Sequence, residues 1–405
     1  MPLPSLPSIA EVVVNEVLGD GSGSLTVESG VVLEVETVQV APVASMAIRA
    51  GAEVLSGATL GVQSGSLELD GALRGARTLW VGGGGELELT RNASHNLTLL
   101  RLNATDARVT LPWDDTFELE TIAVDAGTLR VRGEAVVRAT TLTVGADGVV
   151  DGIGGSSYGP GARGMGTNVG PGAPDNCGYS RGGGSHGGRG GGWRTNDCTS
   201  DEYVYGDLFA PVTMGSGGEA ECASCARGGA AVHVQVSGEL VLNGTITANG
   251  DYGPYPQSSG GSSVGSYPGG SGGSVWIEAG VLSGGGGVVS AVGGKGHSSY
   301  GAGGGGGGRV ALYCGSSTYA LGGAPTLSAS GGMGYYYQSN WADGGPGTVY
   351  VDCGSMRRTL VVDSEGKASG NDANSELFTM HLSASSSNYS FDAVQLRGAR
   401  LTMDV

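Results

Sequence analysis

Long apolar runs are missing from this chain. No stretch of 18 or more apolar residues occurs, so no segment reads as a membrane-spanning helix. Positive charge is also scarce: 21 Lys and Arg stand against 38 Asp and Glu, a net charge of −17 that repels phosphate backbones and anionic lipid surfaces. Nucleic acid is therefore not expected as a partner. The start, Met1-Pro2-Leu3-Pro4-Ser5-Leu6-Pro7, has neither the basic nor the apolar region of a secretory signal.

Proline and helical periodicity are thin as well. With 14 prolines and no G-X-Y period, the 81 glycines do not describe a collagen. The best helix candidate, Ser8 to Leu18, contains the run Val12-Val13-Val14, which favours a strand. Catalytic signatures are absent too. The histidines His95, His186, His233, His297 and His381 are scattered, and no G-x-S-x-G, H-E-x-x-H or P-loop occurs. The run Gly303 to Gly308 matches a dinucleotide fingerprint by composition alone and precedes a strand rather than a helix. We expect no cofactor.

What is present is a repeat. Four times a glycine run hands over to an alternating strand: Ala231–Val236, Ser274–Glu278, Arg309–Cys314 and Thr348–Cys353. Steps from Val232 to Val275, Val310 and Val349 are 43, 35 and 39 residues, and the variation is assigned to loops. A second strand follows the first three, at Thr245–Asn249, Val288–Val292 and Thr326–Ser330, each ending in glycine. Such self-similarity reads as a solenoid, whose units bury their apolar faces against their neighbours. The expected inward row is Val232, Val234, Val275, Ile277, Val310, Leu312, Val349 and Val351, stacked in parallel. His233, Trp276, Ala311 and Tyr350 are expected to face out.

Residues 1–151 carry many short strands, among them Ser66–Leu69, Glu86–Leu89 and Thr141–Val144, spaced near twenty residues, and read as further rungs. Residues 152–227 lose the strand signal and hold Cys177, Cys198, Cys222 and Cys225; they read as one insertion stapled by disulfides because it lacks its own core. Cys222-Ala223-Ser224-Cys225 also has the spacing of half a zinc site or a redox dithiol, but neither the βαβ context nor a standard zinc module accompanies it. Residues 228–355 form the glycine-rich repeat and 356–405 further rungs. The chain ends inside a strand-like stretch, and we expect an internal fragment of a longer protein.

Cys314 and Cys353 occupy the same position of consecutive strands. On adjacent rungs they would stand about 4.8 Å apart, within disulfide reach. Sequons at Asn92, Asn96, Asn103, Asn243 and Asn388, with six cysteines, favour the eukaryotic secretory route and an extracellular or cell-surface location. Aromatics recur in the repeat loops: Tyr252, Tyr255 and Tyr267; Tyr300; Tyr335, Tyr336, Tyr337 and Trp341. They read either as a binding ridge for glycans or another protein, or as cover for glycine backbone. Asp114, Asp115, Asp251 and Asp343 are the carboxylates considered for carbohydrate chemistry, against a plainer reading as solvated loop acids. Calcium at loop carboxylates has no D-x-D-x-D-G loop to support it.

The strings Gly272-Gly273-Ser274-Val275-Trp276-Ile277 and Gly305 to Leu312, alternating with Gly244 to Gly250, resemble the glycine-rich repeats of very large extracellular surface and adhesion proteins. Filament subunits of the mastigoneme type are a narrower match. The resemblance covers about residues 140 to 355. It implies an all-β fold, a right-handed parallel β-helix of pectin-lyase type with long glycine-rich loops and the stapled insertion, without implying that enzyme's activity. The function expected is structural or adhesive and non-catalytic, with glycans, other extracellular proteins or self-assembly as partners and no membrane insertion by this segment. The rival is a polysaccharide-acting β-helix enzyme, a lyase or glycoside hydrolase.

Overall fold

In the computed structural model the chain is all-β, with a long, mostly parallel sheet and no helix among the described residues. The structure describes residues 10–18, 24–40, 44–57, 59–158, 170–171, 182–191, 204–218, 226–252, 268–296, 302–319, 323–334, 343–354, 358–367, 379–383 and 390–404. Two compact units divide the chain: Met1–Arg130 with Arg138–Val150, and Val131–Val137 with Asp151–Val405.

In the first unit the strands recur in threes. They run β1 (Ala10–Leu18), β2 (Ser24–Val27), β3 (Val31–Val40), β4 (Ser45–Ile48), β5 (Glu53–Ser56), β6 (Thr59–Gln63), β7 (Ser66–Leu69), β8 (Ala72–Arg74), β9 (Thr78–Gly82), β10 (Glu86–Leu89), β11 (Ser94–His95) and β12 (Leu99–Trp113). Long strands β13 (Thr116–Arg132) and β14 (Glu134–Asp151) follow. The valine-rich stretch near the start is strand β1, as its β-branched run requires. Every third strand pairs in parallel, β4 with β7 and β10, β5 with β8 and β11, β6 with β9 and then β12. Ser45↔Ser66, Glu53↔Ala72 and Leu60↔Leu79 set steps of about twenty residues, as the sequence spacing predicts. Alternate residues point inward, so that Leu60, Leu79 and Leu100 stack in one fully buried row and Ile48, Leu69 and Leu89 in another.

The outward residues pair between neighbouring strands instead. Arg49 meets Glu68 at 2.8 Å, Arg91 meets Asp114 at 3.0 Å, Arg101 meets Asp125 at 2.6 Å and Arg138 meets Glu118 at 2.9 Å. Each of these exposed pairs contributes at most about 1 kcal/mol. Their regular placement helps hold the register between strands.

The second unit contains β15 (Ala231–Leu242), β16 (Thr245–Thr247), β17 (Ser274–Gly284), β18 (Val288–Ser290), β19 (Arg309–Tyr319), β20 (Thr326–Ser328), β21 (Thr348–Cys353), β22 (Thr359–Asp363), β23 (Thr379–Ser383), β24 (Ala393–Arg397) and β25 (Arg400–Asp404). Two parallel ladders carry it. In the longer, β15, β17, β19 and β21 align Val232, Val275, Val310 and Val349; in the shorter, β16, β18 and β20 align Ile246, Val289 and Leu327. The inward row is buried as expected, except at its last member, Val351, which is half-buried. Parallel order stops at β22, which pairs with β21 in antiparallel fashion, Val349 opposite Val361.

The glycine-rich segments at 182–191, 268–273 and 302–308 are not loops. They are extended, buried segments packed beside the ladders and bonded to one another through the backbone. Gly269, Gly270 and Ser271 donate to Gly303, Asp251 and Ser216 at 2.9, 3.2 and 2.9 Å. Three residues on, Gly272, Gly273 and Ser274 donate to Gly306, Ala248 and Ala230 at 2.9, 2.7 and 3.0 Å. The segment therefore repeats every three residues, the period of a polyproline-II-type helix, and serves a different neighbour with each peptide group. None of these glycines has φ in the left-handed region. Space is what demands glycine, because a Cβ on Gly269, Gly270, Gly272 or Gly273 would fall well inside 3.0 Å of neighbouring backbone. Residues 182–191, in the stretch read as a coreless insertion, belong to the same packing: Gly184 donates to Gly269, Gly188 to Gly307 and Gly191 to Gly304. Composition suggested loops because a glycine interior has no side-chain period to read.

The outward face of the longer ladder also differs from expectation. His233 and Trp276 are half-buried, but Ala311 and Tyr350 are buried. Residues 204–214 lie over them. Arg309 Nε donates to Tyr205 O at 2.9 Å, Tyr313 Oη to Phe209 O at 2.8 Å and Ser274 Oγ to Thr213 O at 2.6 Å. Leu208, Tyr350, Leu360 and Val362 form a second apolar cluster there, with Phe209 edge-on to Tyr350 at 4.8 Å. Parallel strands are commonly covered on both faces, and here a segment remote in sequence does the covering.

Candidate functional site

Where residues 204–214 end, the outer face of the longer ladder stays partly open, and four side chains gather on it. His233 and Gln235 project from β15, and their register partners Trp276 and Glu278 from β17. The period of two puts all four on one face. The His233 and Trp276 rings stack 3.8 Å apart and within 3° of parallel. Glu278 Oε2 lies 2.8 Å from His233 Nε2 and accepts from Gln235 Nε2 at 3.0 Å. Burial pushes the Glu278 carboxyl up, but the bonds from Gln235 and His233 outweigh it and hold the group below the usual carboxylate range. The Trp276 indole N–H is buried and has no acceptor among the described residues. The half-buried aromatic pair beside a carboxylate and an amide makes a patch suited to a polar ring or a partner's side chains.

Beside this patch a polar cluster anchors the cover. His186 is fully buried, with Nδ1 2.9 Å from Gly272 O and Nε2 2.8 Å from Thr213 Oγ1. A carbonyl can only accept, so Nδ1 carries the proton and Nε2 accepts from the threonine. Burial, with the nearby Arg309 charge, lowers the His186 pKa to about 3. Tyr205 packs on His186 at 4.6 Å and donates to Met214 O at 2.7 Å, and burial raises its phenol.

Comparison with family models, curated proteins and solved structures finds no match. The patch must be read from its own chemistry.

Of the residues picked out in sequence, Cys314 and Cys353 form a disulfide, Cα to Cα 4.3 Å, in register on β19 and β21. Cys177, Cys198, Cys222 and Cys225 lie outside the described residues, as do Tyr255, Tyr267, Tyr300, Tyr335, Tyr336, Tyr337, Trp341 and Asn388. Tyr252 is described and 67% exposed. Trp80, passed over in sequence, shows how an aromatic covers glycine here: a Cβ on Gly61, its register partner, would stand 2.5 Å from Trp80 Cζ2. Asn92, Asn96, Asn103 and Asn243 are exposed. Asn92 Nδ2 donates to Asp70 at 2.9 Å, which a glycosylated amide could still do with its remaining hydrogen.

The carboxylates considered for carbohydrate chemistry have separate local engagements. Asp114 pairs with Arg91, Asp115 accepts from Thr116 N at 2.7 Å, and Asp251 accepts from Tyr252 N at 2.9 Å. Asp343 is buried and accepts from Gly334 N at 2.7 Å, and burial raises its carboxyl above the usual range. Among the described residues no group of three or more His, Cys, Asp or Glu is placed to hold a metal ion, and no helix is long and apolar enough to cross a membrane. Trp276 and His233 were legible as outward residues; the ring stacking and the bonds of Glu278 to His233 and Gln235 needed the side-chain geometry.

Proposed function

We propose that the chain is a non-catalytic segment of a right-handed parallel β-helix within a larger extracellular surface or filament protein, and that its work is structural or adhesive. The backbone-bonded glycine interior carries this reading. An interior made partly of peptide groups that exclude even a methyl group, packed beside the buried aliphatic rows, is a rigid support. The disulfide and four exposed sequons support the extracellular assignment. The His233, Trp276 and Glu278 patch is the surface proposed to meet glycans or a partner protein.

Secreted expression should give a chain that loses mass on glycosidase treatment. The purified protein should bind on a glycan array or to a partner subunit, and Trp276→Ala should weaken that binding with the circular dichroism spectrum unchanged. Turnover of any polysaccharide by the wild-type chain would overturn the non-catalytic reading in favour of the enzyme.

A further inference from the structure

The two ladders of the second unit end unevenly. The longer reaches β21, whereas in the shorter β20 is the last member and, among the described residues, is paired only to β18. Thr326 N donates to Gly287 O at 2.8 Å and Ala291 N to Ser328 O at 2.9 Å, so the peptide groups at 326 and 328 face β18. Those of Leu327, between them, face the other way. The inward row records the same gap. Ile246 and Val289 are completely buried, whereas their partner Leu327 is half-buried.

A groove of about 210 Å³ lies along this edge. Leu327, Val349, Val351 and Val361 give it an apolar floor, and Asp363, Glu365, Gln395 and Arg397 line its rim. At about 30 Å³ per water its volume is that of roughly seven waters, the scale of a few side chains rather than of a folded element. The rim is electrically balanced within itself. Arg397 pairs with Asp363 at 3.3 Å and Lys367 with Glu365 at 3.8 Å, while Ser328 and Ser330 donate to Glu365 at 2.5 and 3.0 Å. A charged occupant would have to break one of these pairs. A neutral one carrying hydroxyls would not.

The geometry points to a strand-addition site: the groove takes an extended, uncharged strand of a partner protein as the next member of the ladder after β20. Strands β16, β18 and β20 state the pattern it would follow, Thr245-Ile246-Thr247, Val288-Val289-Ser290 and Thr326-Leu327-Ser328. The central apolar side chain continues the inward row onto Leu327, and the flanking positions place small or hydroxyl side chains toward the balanced rim. Backbone bonds to the free edge supply affinity and the central pocket supplies selectivity, as in other β-augmentation complexes. Such a site would operate whether or not the chain belongs to a filament.

The test uses the full chain and a fluorescein-labelled synthetic peptide with the sequence of residues 243–250, Asn-Gly-Thr-Ile-Thr-Ala-Asn-Gly. Anisotropy should rise saturably on adding protein. A peptide with proline in place of its second threonine should bind at least about tenfold more weakly, because that residue's N–H is the donor the ladder aims at the Leu327 carbonyl and proline removes it. Leu327→Lys should have the same effect with an unchanged circular dichroism spectrum. The peptide comparison decides the matter even if that variant fails to fold. Absence of saturable binding, equal binding of the proline peptide, or displacement of the peptide by neutral oligosaccharides would overturn the assignment.

Discussion

A Cβ on Gly305 would fall well inside 3.0 Å of the carbonyl oxygen of Gly270. The contact sits in the middle of the glycine interior, where Gly305 N donates to Gly294 at 2.9 Å and Gly305 O accepts from Gly332 at 2.7 Å. Gly305→Ala should therefore destabilise the fold by about 3 kcal/mol or more, since the neighbour is backbone and cannot turn aside. Gly285→Ala is the control. Its nearest atom would be Asn243 Oδ1 at 3.5 Å, and it should stay within about 0.5 kcal/mol of the parent in urea unfolding. Equal effects of the two would mean the interior is looser than described.

Ala311 distinguishes a covered face from an open one. It is fully buried on the outer side of β19, beneath residues 204–214. Ala311→Leu should overpack that side and cost about 1–3 kcal/mol, where an exposed strand position would accept leucine without loss. Thermal melts of the two proteins give the answer, and an unshifted midpoint would mean that the cover is not held there.

His186 should make the fold acid-sensitive. Its pKa is about 3 in the folded chain against an ordinary 6.5, so between those values the unfolded chain binds the proton that the folded one refuses. Stability from this group is complete above pH 6.5 and is lost as pH falls toward about 3, on the order of 5 kcal/mol in all. Asp343 acts in the opposite sense. Its raised carboxyl favours the folded state in acid and loses that contribution as pH rises through the raised value. The urea midpoint should fall between pH 7 and 4, and His186→Gln, which can keep one donor and one acceptor without titrating, should flatten the fall. An unchanged slope in the variant would assign the acid sensitivity elsewhere.

The Cys314–Cys353 bridge closes 39 residues. Removing it by the double change Cys314→Ala and Cys353→Ala should cost about 4 kcal/mol on the chain-entropy account. Non-reducing peptide mapping of the native protein should return the two half-cystines joined. Either one found free, or joined to another cysteine, would contradict the β19–β21 register.

The rows Val232, Val275, Val310, Val349 and Ile246, Val289, Leu327 were readable in the sequence because β-branched and aliphatic residues recur at period two, and their spacing set the ladder partners without a structure. The same alignment placed Cys314 opposite Cys353. Gly269 to Gly273 and Gly303 to Gly308 were not readable as interior, since glycine carries no side chain whose phase could report a buried face. Ala311 and Tyr350 were misplaced for another reason. What buries them, residues 204–214, comes from about a hundred positions earlier, and the Arg309 to Tyr205 bond that joins them spans 104 residues. The uneven ladder ends could be counted in the sequence, where three short second strands follow four first ones. That the gap is a groove required β22 and β24.

A glycine interior also bears on the heat capacity of unfolding. Exposing apolar surface raises that quantity and exposing peptide groups lowers it. The second unit releases many buried peptide groups for each aliphatic side chain it frees, so its heat-capacity increment should fall below the usual 12–15 cal/mol/K per residue. A small increment flattens the curve of stability against temperature. Residues 151–405 would then keep much the same free energy of unfolding in the cold as in warmth, and cold denaturation would be pushed far below freezing.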